Sequence, residues 1–124
     1  MLLQAYASGY FPMADSPKGR IEWYTADPRA VLPLEPFHVP RRLQRVLKKA
    51  PFTFTRDTEF QQVIRACSDR ESTWISEGIV ASYTALHERG HAHSVEVWQG
   101  AELVGGLYGV HLGGAFFGES MFHL

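Results

Sequence analysis

The stretch from Ser94 to Phe122 constrains the chain most. After Gly90 the side-chain character alternates with a period of two, so that Val95 and Val97 alternate with Glu96 and Trp98. Gln99-Gly100 and Gly113-Gly114 interrupt the run, and they bound two further segments, Leu103 to Val110 and Ala115 to Phe122. Glycine-containing turns this short connect neighbouring strands only when those strands run antiparallel. The stretch therefore predicts three antiparallel strands joined by tight hairpins.

The preceding residues read differently. Leu2 to Ser8 predicts a short helix stopped by Gly9. Phe11 to Pro36 is rich in proline and aromatics, which predicts turns with short strands at Ile21–Tyr24 and Ala30–Leu32. Pro40 to Lys49 is helical, with Pro40 suited to the first turn and Leu43, Val46 and Leu47 forming a core-facing side. Phe52 to Thr55 reads as a strand. Asp57 or Thr58 is the expected cap of a helix whose Phe60, Val63, Ile64 and Cys67 recur at helical spacing. Ser76 caps the next helix, which turns Ile79, Tyr83 and Leu86 inward and ends at Gly90. A helical half followed by a hairpin-linked sheet is an α+β pattern.

Composition narrows the function classes. Cys67 is the sole cysteine, so an intrachain disulfide and a cysteine-based zinc site are excluded, and a reducing cytoplasm fits. No apolar run approaches the roughly 18 residues of a membrane helix. The net charge is -1, so any contact with a polyanion must come from a local patch. One such patch is present. Arg41, Arg42, Arg45, Lys48 and Lys49 lie within nine residues, and Arg41, Arg45 and Lys48 share a helical face. Such a face is either solvated or grips a phosphate backbone, without reading bases.

Two further features carry chemistry. His87-Glu88-Arg89-Gly90-His91 matches the spacing of zinc hydrolases, with His93 as a third ligand. That chemistry needs both histidines on one helical turn. A helix ending at Gly90 would leave His91 and His93 in the link to the first strand, so we expect a helix C-terminus whose basic residues suit its dipole. The second feature is Glu119, which interrupts an apolar strand facing the glycine-rich Val104–Val110 segment. Glycines in a strand suggest a floor that something approaches closely. Leu107, Phe116 and Met121 are the apolar neighbours, and each is either core or pocket lining. A carboxylate in such surroundings needs a partner: a cation, a backbone donor or a substrate amine. Trp74 is either core or a stacking platform.

These segments together resemble the leucyl/phenylalanyl-tRNA–protein transferase family. The matching runs are Leu2 to Tyr6, Gly9 to Pro12, Asp27 to Leu32, Phe37-His38-Val39, Thr73-Trp74-Ile75, Leu86-His87, Gly90 through Trp98, Leu103 through Val110 and Gly118 through Phe122, in family order. The resemblance implies transfer of Leu, Phe or Met from aminoacyl-tRNA to proteins with an N-terminal Lys or Arg, which marks them for N-end-rule degradation. It implies no metal or organic cofactor. It also implies a small N-terminal α/β part at residues 1–57, followed at 58–124 by part of an antiparallel sheet domain like that of the GNAT acyltransferases. The implied amino-acid pocket comprises Leu107, Phe116, Gly118, Ser120 and Met121. Trp74, Arg41, Arg45, Lys48 and Lys49 would contact tRNA, and Glu119 would hold a substrate amine.

The tract Glu22 to Arg29 departs from the family's usual Trp-Trp-Ser-Pro-Asp-Pro-Arg. The first helix has no residue before it to act as a cap, and the last strand stops two residues before Leu124. We therefore expect a form shortened at both ends. It would lack the family's Asp-Cys-Gln-type motif and leave a bare strand edge prone to self-association. The alternatives are a non-catalytic remnant that binds tRNA or protein and, against the helix-end reasoning above, a zinc hydrolase.

Overall fold

The computed structural model describes residues 2–14, 20–49, 51–69, 73 and 75–124. Its elements are helix α1 (Leu2–Ala7), strands β1 (Phe11–Ala14) and β2 (Ile21–Tyr24), helix α2 (Arg41–Lys49), strand β3 (Phe52–Arg56), helices α3 (Phe60–Ser68) and α4 (Glu77–Glu88), and strands β4 (Ala92–Gln99), β5 (Glu102–Leu112) and β6 (Ala115–His123). The three expected hairpin-linked strands form an antiparallel sheet in the order β3-β4-β5-β6, and β1 and β2 form a separate antiparallel pair. The chain is α+β, as its pattern of elements requires.

Helices α1, α3 and α4 pack on one face of the large sheet. Phe60, Val63, Ile64 and Cys67 of α3 are buried there together, and Ile79, Tyr83 and Leu86 of α4 join them. Strand β5 contributes Tyr108 and Val110. The Ser76 side chain accepts the Ile79 N–H at 3.3 Å, so α4 starts at its expected cap. Gly90, at φ 82°, ends the helix in the left-handed conformation that glycine adopts without strain.

Several expectations are corrected. Residues 30–32 form no strand, whereas Phe11–Ala14 does, paired with Ile21–Tyr24. Pro12 is tolerated because a two-stranded ribbon consists only of edges. Leu43, Val46 and Leu47 are 46–47% exposed and α2 has no buried residue, so its apolar side is not core-facing. Neither Asp57 nor Thr58 caps α3. The N-cap is Glu59, without a side-chain bond, because both predicted caps serve β4 instead. Strand β3 pairs along its length with β4, and Tyr6 lies in the same core as α3 and α4.

The largest surprise concerns which face of β4 is covered. The alternation holds, but the set turned toward the helices is Ala92, Ser94 and Glu96, each fully buried. Val95 and Val97 line the opposite, open face. A polar inward set is stable because Glu96 is saturated with donors. The Thr55 and Thr58 hydroxyls reach its Oε1 at 2.7 Å, the Thr58 N–H at 3.3 Å, and the Ser94 hydroxyl donates to Oε2. Burial alone would raise this carboxyl, but the four bonds hold it below the usual glutamate range.

Candidate functional site

The site follows from one irregularity in the β5–β6 ladder. Tyr108 pairs with Ser120, yet Gly109 pairs with Gly118, which leaves Glu119 as the extra residue of a β-bulge. A bulge reverses the side-chain alternation beyond it. Phe117, Glu119, Ser120 and Phe122 therefore face the helices, while Phe116, Gly118 and Met121 face the open side. Without the bulge, Glu119 and Met121 would share a face.

Glu119 reaches the junction of α1, α4 and β6. The Tyr6 hydroxyl donates to its Oε1 at 2.6 Å, and the Tyr83 hydroxyl lies 2.5 Å from that of Tyr6. Both rings are buried, and Phe117 packs on Tyr6 at 5.2 Å between centroids. Burial and the neighbouring negative charge push both phenols far above the ordinary tyrosine value, so both remain protonated donors. The Arg29 guanidinium sits over the rings of Phe11 and Phe117, at 5.0 and 5.5 Å. Burial raises the Glu119 carboxyl. The Tyr6 bond, the Arg29 charge and the Tyr83 hydroxyl pull it back, and the net direction remains upward. A carboxylate whose charge is only partly compensated gains from an added cation.

The other expected pocket residues lie across the sheet. Leu107 and Met121 are cross-strand partners on the open face, beside Val95, Val97 and Gly105 in a cavity of about 590 Å³. Phe116 lies across Gly109 on the same side. A Cβ on Gly109 would collide with the Phe117 carbonyl oxygen and the Phe116 ring, and one on Gly106 would crowd the Val95 carbonyl, Phe122 and Val63. These two glycines thus make room for the protein's own groups and not for a ligand. Gly118 is exposed opposite Gly109, and Ser120 pairs with Tyr108 on the helix side. The sheet thus separates Glu119 and Ser120 from Leu107, Phe116, Gly118 and Met121.

Arg41, Arg45, Lys48 and Lys49 are exposed on α2, away from any buried contact. Trp74 lies outside the described residues. The zinc-like run is divided: α4 ends at Glu88, His87 Nδ1 bonds the Ala92 carbonyl at 2.9 Å, and His91 lies beyond the helix. Two histidines so placed do not share a helical face. Among the described residues no three His, Cys, Asp or Glu side chains group as metal ligands.

Sequence reasoning did not connect Tyr6, Tyr83, Arg29 and Phe117 with Glu119. The signal was the carboxylate itself, which needed donors. Which donors was hidden, because Tyr6 lies 113 residues away.

Comparison with known proteins gives the family. The family model described as leucyl/phenylalanyl-tRNA protein transferase matches residues 31–124, and that of its N-terminal domain matches residues 1–27. The leucyl/phenylalanyl-tRNA–protein transferase of Salinibacter ruber is 55% identical over 99% of this chain and 54% of its own length. Those of Gloeobacter violaceus and Rubrobacter xylanophilus are 57% and 56% identical over 98% of this chain, and 63% and 64% of their own lengths. The chain thus spans between half and two thirds of these relatives. Matched along nearly its whole length, it belongs to the leucyl/phenylalanyl-tRNA protein transferase family.

Proposed function

We propose that this chain carries the aminoacyl-binding part of an aminoacyltransferase that moves Leu, Phe or Met from aminoacyl-tRNA to the N-terminal Lys or Arg of an acceptor protein in the cytoplasm. In that reaction the acceptor α-amine attacks the aminoacyl ester carbonyl. An amide forms, the ester bond to the ribose breaks, and the amine proton is released as the ribose hydroxyl regains one. The observation that carries the reading is the bulge that turns Glu119 inward onto Tyr6 and Tyr83. Glu119 binds and orients a substrate ammonium, and the two phenols hold the carboxylate still.

The open-face group of Leu107, Phe116 and Met121 would take the aminoacyl side chain, in a subsite that the sheet separates from the one at Glu119. Shape selection by apolar contacts discriminates by only about 1–3 kcal/mol per methylene, so overlapping acceptance of Leu, Phe and Met is expected. The bases on α2 would supply phosphate contacts that loosen as salt rises.

The test is replacement of the carboxylate matching Glu119 by glutamine in a full-length relative, with charged tRNA and a Lys-starting peptide. Loss of a buried charge partner lowers kcat/KM by roughly 10²-fold, about 2.7 kcal/mol, with the fold intact. Unchanged transfer would refute the role.

A further inference from the structure

A second constellation lies on the open face, near the start of β4. A cavity of about 370 Å³ is bounded by Arg56, His93, Val95, Leu107, His111 and Phe116. Its floor is apolar, and every ionisable residue in its wall is basic. Arg56 pairs across the ladder with Val95, and its guanidinium makes no ion pair or hydrogen bond among the described residues.

His93 is held from behind. Its Nδ1 lies 2.8 Å from Asp57 Oδ2. Asp57 is itself fixed: its Oδ1 accepts the Ser94 N–H at 3.0 Å, its own N–H donates to the Ser94 carbonyl, and its backbone sits at φ 60°. A carboxylate only accepts, so Nδ1 carries the proton and Nε2 is left for the cavity. Nε2 has no partner among the described residues. Protonated, the ring donates from both nitrogens while Asp57 balances its charge. His87 Nδ1, 3.8 Å from the other Asp57 oxygen, is the second imidazole near that carboxylate. Burial would raise Asp57, but the bonds from His93 and Ser94 and the two imidazoles hold it below the ordinary range. The His111 ring lies 6.0 Å from that of His93, with its Nε2 turned to the Gly113 carbonyl.

We propose that this cavity binds a small carboxylate with an apolar tail, its oxygens taken by Arg56 and His93 and its tail lying on Val95, Leu107 and Phe116. The planar guanidinium fork matches a carboxylate in two-point geometry, which a lysine could not offer. The volume falls within the range of small-molecule sites, roughly 300–1,000 Å³. Leu107 and Phe116 also belong to the proposed aminoacyl pocket, so an occupant here would compete with the aminoacyl side chain. That consequence rests on the transferase reading; the binding does not.

The test is titration of this chain with 4-methylpentanoate, read at the His93 ring nitrogens by NMR at slightly acid pH. Saturable shifts of Nε2 are expected, with binding weakened about tenfold or more in Arg56→Gln. Arg56→Lys should fall between wild type and Arg56→Gln, and Arg65→Gln on α3, on the helix-covered side of the sheet, should bind as wild type does. Thermal unfolding of Arg56→Gln should match wild type, because the residue is exposed. Equal binding of the neutral 4-methylpentanamide would overturn the anion assignment, and equal binding of inorganic phosphate would overturn the role of the tail. His93 signals that do not move at millimolar carboxylate would overturn the site altogether.

Discussion

Glu96 and Glu119 stand on the helix-facing side of the same sheet, yet they are held in opposite ways. Glu96, on β4, is fully buried and accepts from Thr55, Thr58 and Ser94 side chains and from the Thr58 backbone. Its carboxyl lies below the ordinary range. Glu119, on the β6 bulge, has phenols as its donors and the Arg29 charge nearby, and its carboxyl lies above that range. Burial acts on both in the same direction. What separates them is how completely donors answer the charge. A saturated carboxylate ties elements together, whereas an undersupplied one has capacity for a ligand.

Removing each carboxylate should expose this difference. Glu96→Ala strands three hydroxyls and a backbone N–H that now share one acceptor group, and should lower stability by about 2–4 kcal/mol, read as a drop in the urea midpoint. Equal stability would show that Glu96 is no structural tie. On the opposite face, Gly109→Ala should cost about 1–3 kcal/mol through collision with the Phe117 carbonyl and the Phe116 ring. An unaltered midpoint there would reopen the idea that the glycines make room for a ligand. Glu119→Gln should change stability at neutral pH by less than about 1 kcal/mol, since the amide oxygen still accepts from Tyr6.

The pH dependence of stability carries opposite signs for the two groups. Glu96 has a folded value below its ordinary 4.5, so its contribution is present above pH 4.5 and is lost as pH falls through the folded value. Asp57, lowered from 3.8, adds to the same acid limb. Glu119 has a folded value above 4.5, so its contribution is complete below pH 4.5 and is lost as pH rises through the folded value. Glu96→Gln should therefore flatten the acid limb, and Glu119→Gln should flatten the decline above pH 4.5. Chemical denaturation across pH reads both, and matching slopes in the two variants would break the comparison.

The parts of this molecule that were legible in the sequence are those with a strong local period. The stripe of Phe60, Val63, Ile64 and Cys67, the Ser76 cap and the three glycine-hinged strands all follow from spacing and turn chemistry. Alternation in β4 announced two faces, but it could not say which one the helices cover. That choice depends on hydroxyls about 40 residues away in sequence, at Thr55 and Thr58. The bulge at Glu119 was invisible for a similar reason. One inserted residue leaves no mark in composition and shows only in the pairing with Tyr108 and Gly109. The apolar side of α2 misled because helical amphipathicity reports a preference for burial, not the presence of a partner.

The most direct test is a ¹³C NMR titration of the side-chain carboxyls of Glu96 and Glu119 in the intact chain. The Glu119 carboxyl should titrate above 4.5 and that of Glu96 below it, with the Glu119 midpoint moving down when a lysine-like amine is added. A reversed order, or two midpoints both at the ordinary value, would contradict the division between structural tie and ligand-holding site.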